Sequence, residues 1–118
     1  MTFPRRGDIY LVEFNPARGH EIKKTRPALV IQNDIGNRHS PVTIVAAITS
    51  KLSPVPYPVD MTVSPTKANG LLVQSAVQLG QIRSVDKGRL VKQLGALESV
   101  AMRQVDEAIK ISLGLVDL

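Results

Sequence analysis

The chain has 118 residues, 43% hydrophobic and 21% charged, enough apolar material for one domain with a modest core and too much for a disordered chain. It has no cysteine, which excludes disulfides, iron–sulfur centres, thiolate metal sites and a cysteine nucleophile. A formal charge of +5 favours acidic or polyanionic partners, and no apolar run approaches the roughly 20 residues of a membrane span. The start, Met1-Thr2-Phe3-Pro4-Arg5-Arg6, lacks the apolar core of a signal peptide, so a cytoplasmic location is expected.

Gly7-Asp8 is a turn signal, and the period-two alternation of Ile9–Phe14 predicts a first strand. Asn15–Thr25 follows as a polar loop with Pro16 and Gly19, long for a small domain and therefore a candidate for function. It carries Arg18, Lys23 and Lys24 against Glu21, a cationic cluster that Arg26 extends. Ala28–Gln32 predicts a second strand, since Pro27 forces the residue before it toward extended geometry. Asn33–Pro41 reads as a connection rich in turn formers, and Val42–Thr49 as a third strand. Leu52–Pro58, with Pro54, Pro56 and Pro58, reads as an extended loop.

Val59–Val63 predicts a fourth strand. Ala68-Asn69-Gly70 marks a turn before Leu71–Leu79, read as a strand bent near Gly80 and continuing to Arg83. Asp86–Leu94 reads as a short helix capped by Ser84 or Asp86. In Glu98–Leu113 the apolar residues Ala101, Val105, Ala108, Ile109 and Leu113 recur at helical spacing. The expectation is a mostly β (α+β) fold: a single domain over residues 1–118, built as a small, partly closed antiparallel barrel with a packed carboxy-terminal helix.

Conventional catalytic equipment is sparse. The two histidines, His20 and His39, fall on different loops without metal-ligand spacing. A ribonuclease working through that pair is a minor reading beside two solvated loop residues. Asp34 and Ser40 flank His39, but adjacency along a loop is not a triad. No nucleophile elbow or phosphate-binding glycine loop occurs, and the scattered carboxylates argue for no metal, so no cofactor is expected.

What remains is a cation with a hydroxyl. Arg26 precedes the first apolar run, Thr49 ends the second, and the two meet at the sheet's rim if those runs are neighbouring strands. Such a site suits cleavage of RNA by its own 2′-hydroxyl. An arginine fork can grip two nonbridging oxygens, and a threonine hydroxyl can add a third hydrogen bond. A guanidinium with a pKa above about 12 is a poor base, so Arg26 takes charge stabilisation and the base stays open.

On spacing alone, a surface arginine and a strand-end threonine remain the commoner explanation. Arg18, Lys23, Lys24 and Lys51 are candidates for flanking phosphates. Tyr57 either stacks on an unpaired base or packs against its own loop. Four aromatic residues are too few for an extended stacking platform. Glu21 and Gln81 are candidate neighbours of the site, with a buried sheet glutamine the plainer reading of Gln81.

Several blocks together resemble the MazF/PemK family of toxins: Arg6-Gly7-Asp8-Ile9-Tyr10, Asn15-Pro16 with Gly19-His20-Glu21, Arg26 through Asp34, Ala46-Ala47-Ile48-Thr49-Ser50, Gln81 through Lys87 with Arg89-Leu90, and Val105 through Ile109. The resemblance spans nearly the whole chain. It implies the toxin half of a type II toxin–antitoxin module: a homodimeric, metal-independent endoribonuclease on an SH3-like barrel. Such enzymes cut single-stranded RNA at short sequences, leaving 2′,3′-cyclic phosphate and 5′-hydroxyl ends.

The resemblance further implies Arg26 and Thr49 as the catalytic pair, mRNA as the target, and a small acidic antitoxin as inhibitor. Departures fall where substrate choice would be set. Gln74-Ser75 stands where relatives often have an acidic residue before the serine, and Pro58 where they can have histidine. The rival expectations are a gyrase-poisoning toxin on the same barrel and a noncatalytic nucleic-acid-binding module.

Overall fold

In the computed structural model, residues 3–14, 24–55 and 57–117 are described. Six strands form: β1 (Asp8–Phe14), β2 (Lys24–Val30), β3 (Val42–Thr49), β4 (Asp60–Val63), β5 (Ser75–Asp86) and β6 (Leu90–Ala96). Two helices accompany them, α1 (Asp34–His39) and α2 (Ser99–Ser112). The sheet order is β4-β5-β3-β2-β1-β6, and every neighbouring pair is antiparallel.

Strands β1 to β3 are apolar on both faces because each face meets a core. Ile9, Leu29, Ala46 and Ile48 join one cluster, whereas Val12, Ala28, Val30 and Val45 form the other. The second cluster is small and is lined by Tyr10, Phe14, Val85 and Leu90 where the sheet curls over itself. The first is larger and includes Met61, Val77 and Leu79 from the outer strands with Val105 and Ala108 from α2. Burying each aliphatic side chain of this size contributes about 1.5–3 kcal/mol of transfer free energy. Arg6 fastens α2 across the sheet: its Nη2 donates to Asp106 Oδ1 at 2.7 Å, and its Nε donates to the Ile31 carbonyl at 2.8 Å.

The sheet curls without closing. Among the described residues β4 and β6 are its unpaired edges, and the turn after β4 bridges toward β6 through Ala96 N–H donating to the Ala68 carbonyl at 2.9 Å. The mostly β architecture with a carboxy-terminal helix is therefore the one expected. The bend near Gly80 is a bulge: Ala46 pairs with Ile82 while Ala47 pairs with Gln78, leaving Leu79, Gly80 and Gln81 as extra residues on β5.

Three local expectations are corrected. Asp86–Leu94 is not a helix. A 3₁₀ turn over Lys87–Arg89, with Asp86 as its cap, leads into β6, because Leu90, Lys92 and Gln93 find partners on β1. Asn33–Pro41 is more than a connection: Asn33 accepts from Gly36 N–H and caps α1. Third, β5 begins at Ser75 rather than Leu71, so Leu71–Gln74 lies outside the strand.

Candidate active site

The register of β2 and β3 decides where Arg26 and Thr49 lie. Ala28 pairs with Ala47, Leu29 with Ala46 and Val30 with Val45. Arg26 lies two residues beyond the Ala28–Ala47 pair on β2, and Thr49 two residues beyond it on β3. On its other side Thr49 pairs with Ala76, so the start of β5 flanks it. Thr49 is thus the middle member of a row running from Arg26 to the entrance of β5.

A cavity of about 460 Å³ opens along this row. Ile48 and Leu71 are its buried lining, with Leu11, Pro27 and Leu94 completing an apolar floor. Arg26, Thr49, Ser50 and Lys51 supply one part of the rim; the far rim, so named for the segment after β4 that supplies it, is Gly70, Leu72, Val73 and Ser75. Among the described residues its charged lining groups are Arg26 and Lys51, both cations. No carboxylate or imidazole is among the described lining residues. Such a site favours an anion at the rim and an apolar body within.

The Thr49 hydroxyl is pre-aimed. The Lys51 backbone N–H donates to its oxygen at 3.1 Å, occupying one lone pair and leaving the hydroxyl proton to be given elsewhere. On the far rim a buried Asn69 builds the turn. Its Nδ2 donates to the Ser64 carbonyl at 3.0 Å, and its Oδ1 accepts from Thr66 N–H at 3.0 Å and Leu71 N–H at 2.9 Å. Gly70, at φ +70°, then passes so close to β6 that a Cβ would lie 2.0 Å from the Leu94 carbonyl oxygen.

The remaining candidates divide. Lys51 lines the cavity and is exposed. Tyr57 is 59% exposed on the proline-rich loop and is not among the cavity's lining residues. Gln81 lies in the β5 bulge, exposed rather than buried, and also outside the lining. Arg18, His20, Glu21 and Lys23 fall outside the described residues, and Lys24 is described through its β2 backbone alone. His39 is exposed at the end of α1, beyond the opposite end of β2 from Arg26.

The shifted carboxylates, Asp8 and Asp34, also belong to that opposite end. Burial raises the Asp8 carboxyl above its ordinary range, opposed by the Arg5 backbone N–H. The Arg6 backbone N–H, at 2.7 Å, and the Asn37 side chain lower Asp34. Sequence reasoning missed the far rim. Leu72 and Val73 read as interior strand residues, and the one local signal for a rim was the Asn69-Gly70 turn immediately before them.

Residues 5–113 match the profile of a family described as PemK-like, MazF-like toxin of type II toxin–antitoxin system. The chain belongs to that family. Endoribonuclease EndoA of Bacillus subtilis (strain 168) is 44% identical to it over 113 residues, covering 96% of this chain and 97% of that protein. Endoribonuclease MazF of Staphylococcus saprophyticus is 43% identical over 111 residues, covering 94% and 92%. Among solved structures, the MazE-MazF crystal structure (Form II) from Deinococcus radiodurans superposes with a TM-score of 0.81 at 25% identity, over 98% of this chain and all of that one. The fold described above is thus shared with solved MazF structures.

Proposed function

We propose that this chain is a toxin endoribonuclease that cuts single-stranded RNA, mRNA above all, and that Arg26 and Thr49 carry the reaction. The observation that supports this reading most is that Arg26 of β2 and Thr49 of the neighbouring strand β3 line one cavity. The substrate supplies its own nucleophile. Its 2′-hydroxyl oxygen attacks the adjacent phosphorus, the bond to the 5′-oxygen breaks, and the products are a 2′,3′-cyclic phosphate and a 5′-hydroxyl. The 2′-proton leaves to a base, and the 5′-oxygen takes one up.

Negative charge concentrates on the nonbridging oxygens in the transition state. Arg26 offers them a planar fork of N–H donors, and Thr49, its oxygen already held by Lys51 N–H, offers its hydroxyl proton. Proton transfer is not assigned to Arg26, because a guanidinium is a poor general base. No step calls for a metal or cofactor. Lys51 belongs to the flanking phosphates, with Arg18, Lys23 and Lys24 of the preceding segment as further candidates.

The partners follow from the same chemistry. A homodimer would join two cationic rims into one groove, and a small acidic antitoxin would compete with RNA for it in the cytoplasm. The test is incubation with a long unstructured RNA in EDTA, beside Arg26→Ala and Thr49→Val, followed by sequencing of the product ends. Discrete cuts ending in cyclic phosphate are expected, with each variant slowed about 100- to 1000-fold. RNA left intact by the wild type across several mixed sequences would overturn the reading.

A further inference from the structure

Leu72 is 93% exposed and Val73 54% exposed, and both line the cavity that Arg26 and Thr49 also line. Single exposed apolar residues are ordinary on mobile loops. These two are held in place. The segment is anchored behind by Asn69 and the Gly70 contact with Leu94, and ahead by Ser75 Oγ donating to the Val73 carbonyl at 2.9 Å. A fixed apolar projection beside an apolar floor is shaped to enter something.

We propose that Leu72 is a wedge that unstacks one base of the bound RNA, and that Val73 and the cavity floor receive that base. The inference rests on the nuclease reading above and assigns this chain its readout beside the scissile phosphate. Charge selects the occupant. Arg26 and Lys51 on the same cavity attract phosphates, and RNA supplies a flat apolar body with phosphates on either side. The cavity lies within the roughly 300–1,000 Å³ range of small-ligand pockets, so it suits one nucleotide-sized group. Leucine inserted between bases is an established way to unstack a nucleic acid. Because no charged side chain among the described residues lies on the Leu72 rim, the pocket selects the base by shape more than by hydrogen bonding.

The experiment uses an RNA oligonucleotide carrying the cleavage sequence mapped with the wild type. A fluorescent base analogue stands in turn on each side of the cut, and parallel strands are 2′-deoxy at the attacking nucleotide to prevent cleavage. Wild type should raise the fluorescence at one position alone, the mark of an unstacked base. Leu72→Ser should lose that rise and cut about 10- to 100-fold less efficiently in kcat/KM, with Leu72→Met restoring most of both. An abasic site at that position should slow the wild type and leave Leu72→Ser no slower than on the intact strand.

Equal fluorescence and equal cleavage in Leu72→Ser would overturn the wedge while leaving the nuclease intact. Conversion of a wild-type dimer to a Leu72→Ser monomer, read by sedimentation, would overturn it in favour of a second copy as occupant. A wild type that neither binds nor cuts RNA would remove the nuclease reading, and the wedge with it.

Discussion

Asp8 and Asp34 lie near one another at the start of the sheet and shift in opposite senses. Asp34 accepts from the Arg6 backbone and from Asn37, which stabilises its charged form. Its folded pKa lies below the ordinary value of about 3.9, so its contribution is present above that value and is lost as pH falls through the folded pKa. Asp8, raised by burial, has the other sign: its charge costs stability at neutral pH, and that cost fades as pH falls through its raised pKa. Asp34→Asn should therefore be less stable than wild type in urea at about pH 7, with the difference smaller at about pH 2. A constant difference at both values would sink the assignment. Behind Asp34, Asn37 is only 1% exposed and fully partnered: it donates to the Gln32 carbonyl and accepts from Gln32 and Thr43.

Among the elements, the Asn69–Gly70 turn sets the far rim, and its geometry separates two effects of glycine. Gly70 and Gly114 have nearly the same left-handed backbone, φ +70° and +73°, but an added Cβ meets the Leu94 carbonyl at one and nothing within 4 Å at the other. Gly114→Ala should cost about 1–2 kcal/mol from the backbone alone. Gly70→Ala should cost about 3 kcal/mol or more, since either the turn or β6 must move. Paired denaturant melts measure the difference, and equal losses would mean that the turn is not pressed against β6.

The elements also mark what the sequence could tell. β1, β2, β3 and α2 were legible because their apolar residues repeat with the period of the structure they form, and Arg26 with Thr49 followed from the ends of two such runs. β6 was not. Asp86 followed by Leu90, Val91 and Leu94 mimics a capped helix, and only pairing with β1, distant in sequence, turns it into a strand. Nor was α1, whose Gly36 and Asn37 are poor helix formers held there by the Asn33 cap and the buried Asn37 bonds. The far rim was hidden for a third reason. A run such as Leu71-Leu72-Val73 has the same composition whether it is buried in a strand or held out over a cavity.

Over the whole molecule, the +5 charge acts as a field as well as a set of contacts. RNA affinity should fall with salt, with each phosphate contact adding about 0.7 to the slope of log affinity against log salt for a single strand. On 2′-deoxy-blocked RNA, Lys51→Ala should lower that slope by about 0.7, because Lys51 stands on the cavity rim. Arg38→Ala should leave the slope unchanged, because α1 follows the end of β2 away from Arg26 and Arg38 is not among the cavity's lining residues. Equal changes in both variants would mean diffuse attraction without a defined groove.

The turn that carries Leu72 leans on Leu94 and Gly95, and Arg6 is tied to Asp106, a hundred positions later. Translation delivers these partners in the reverse of the order in which the site needs them. Arg26 and Thr49 emerge early, yet the wall they face has nothing to rest against until β6 has been made. The clamp from Arg6 waits longer still, for α2. A nascent chain therefore carries Arg26 and Thr49 before the wall that completes their cavity can form.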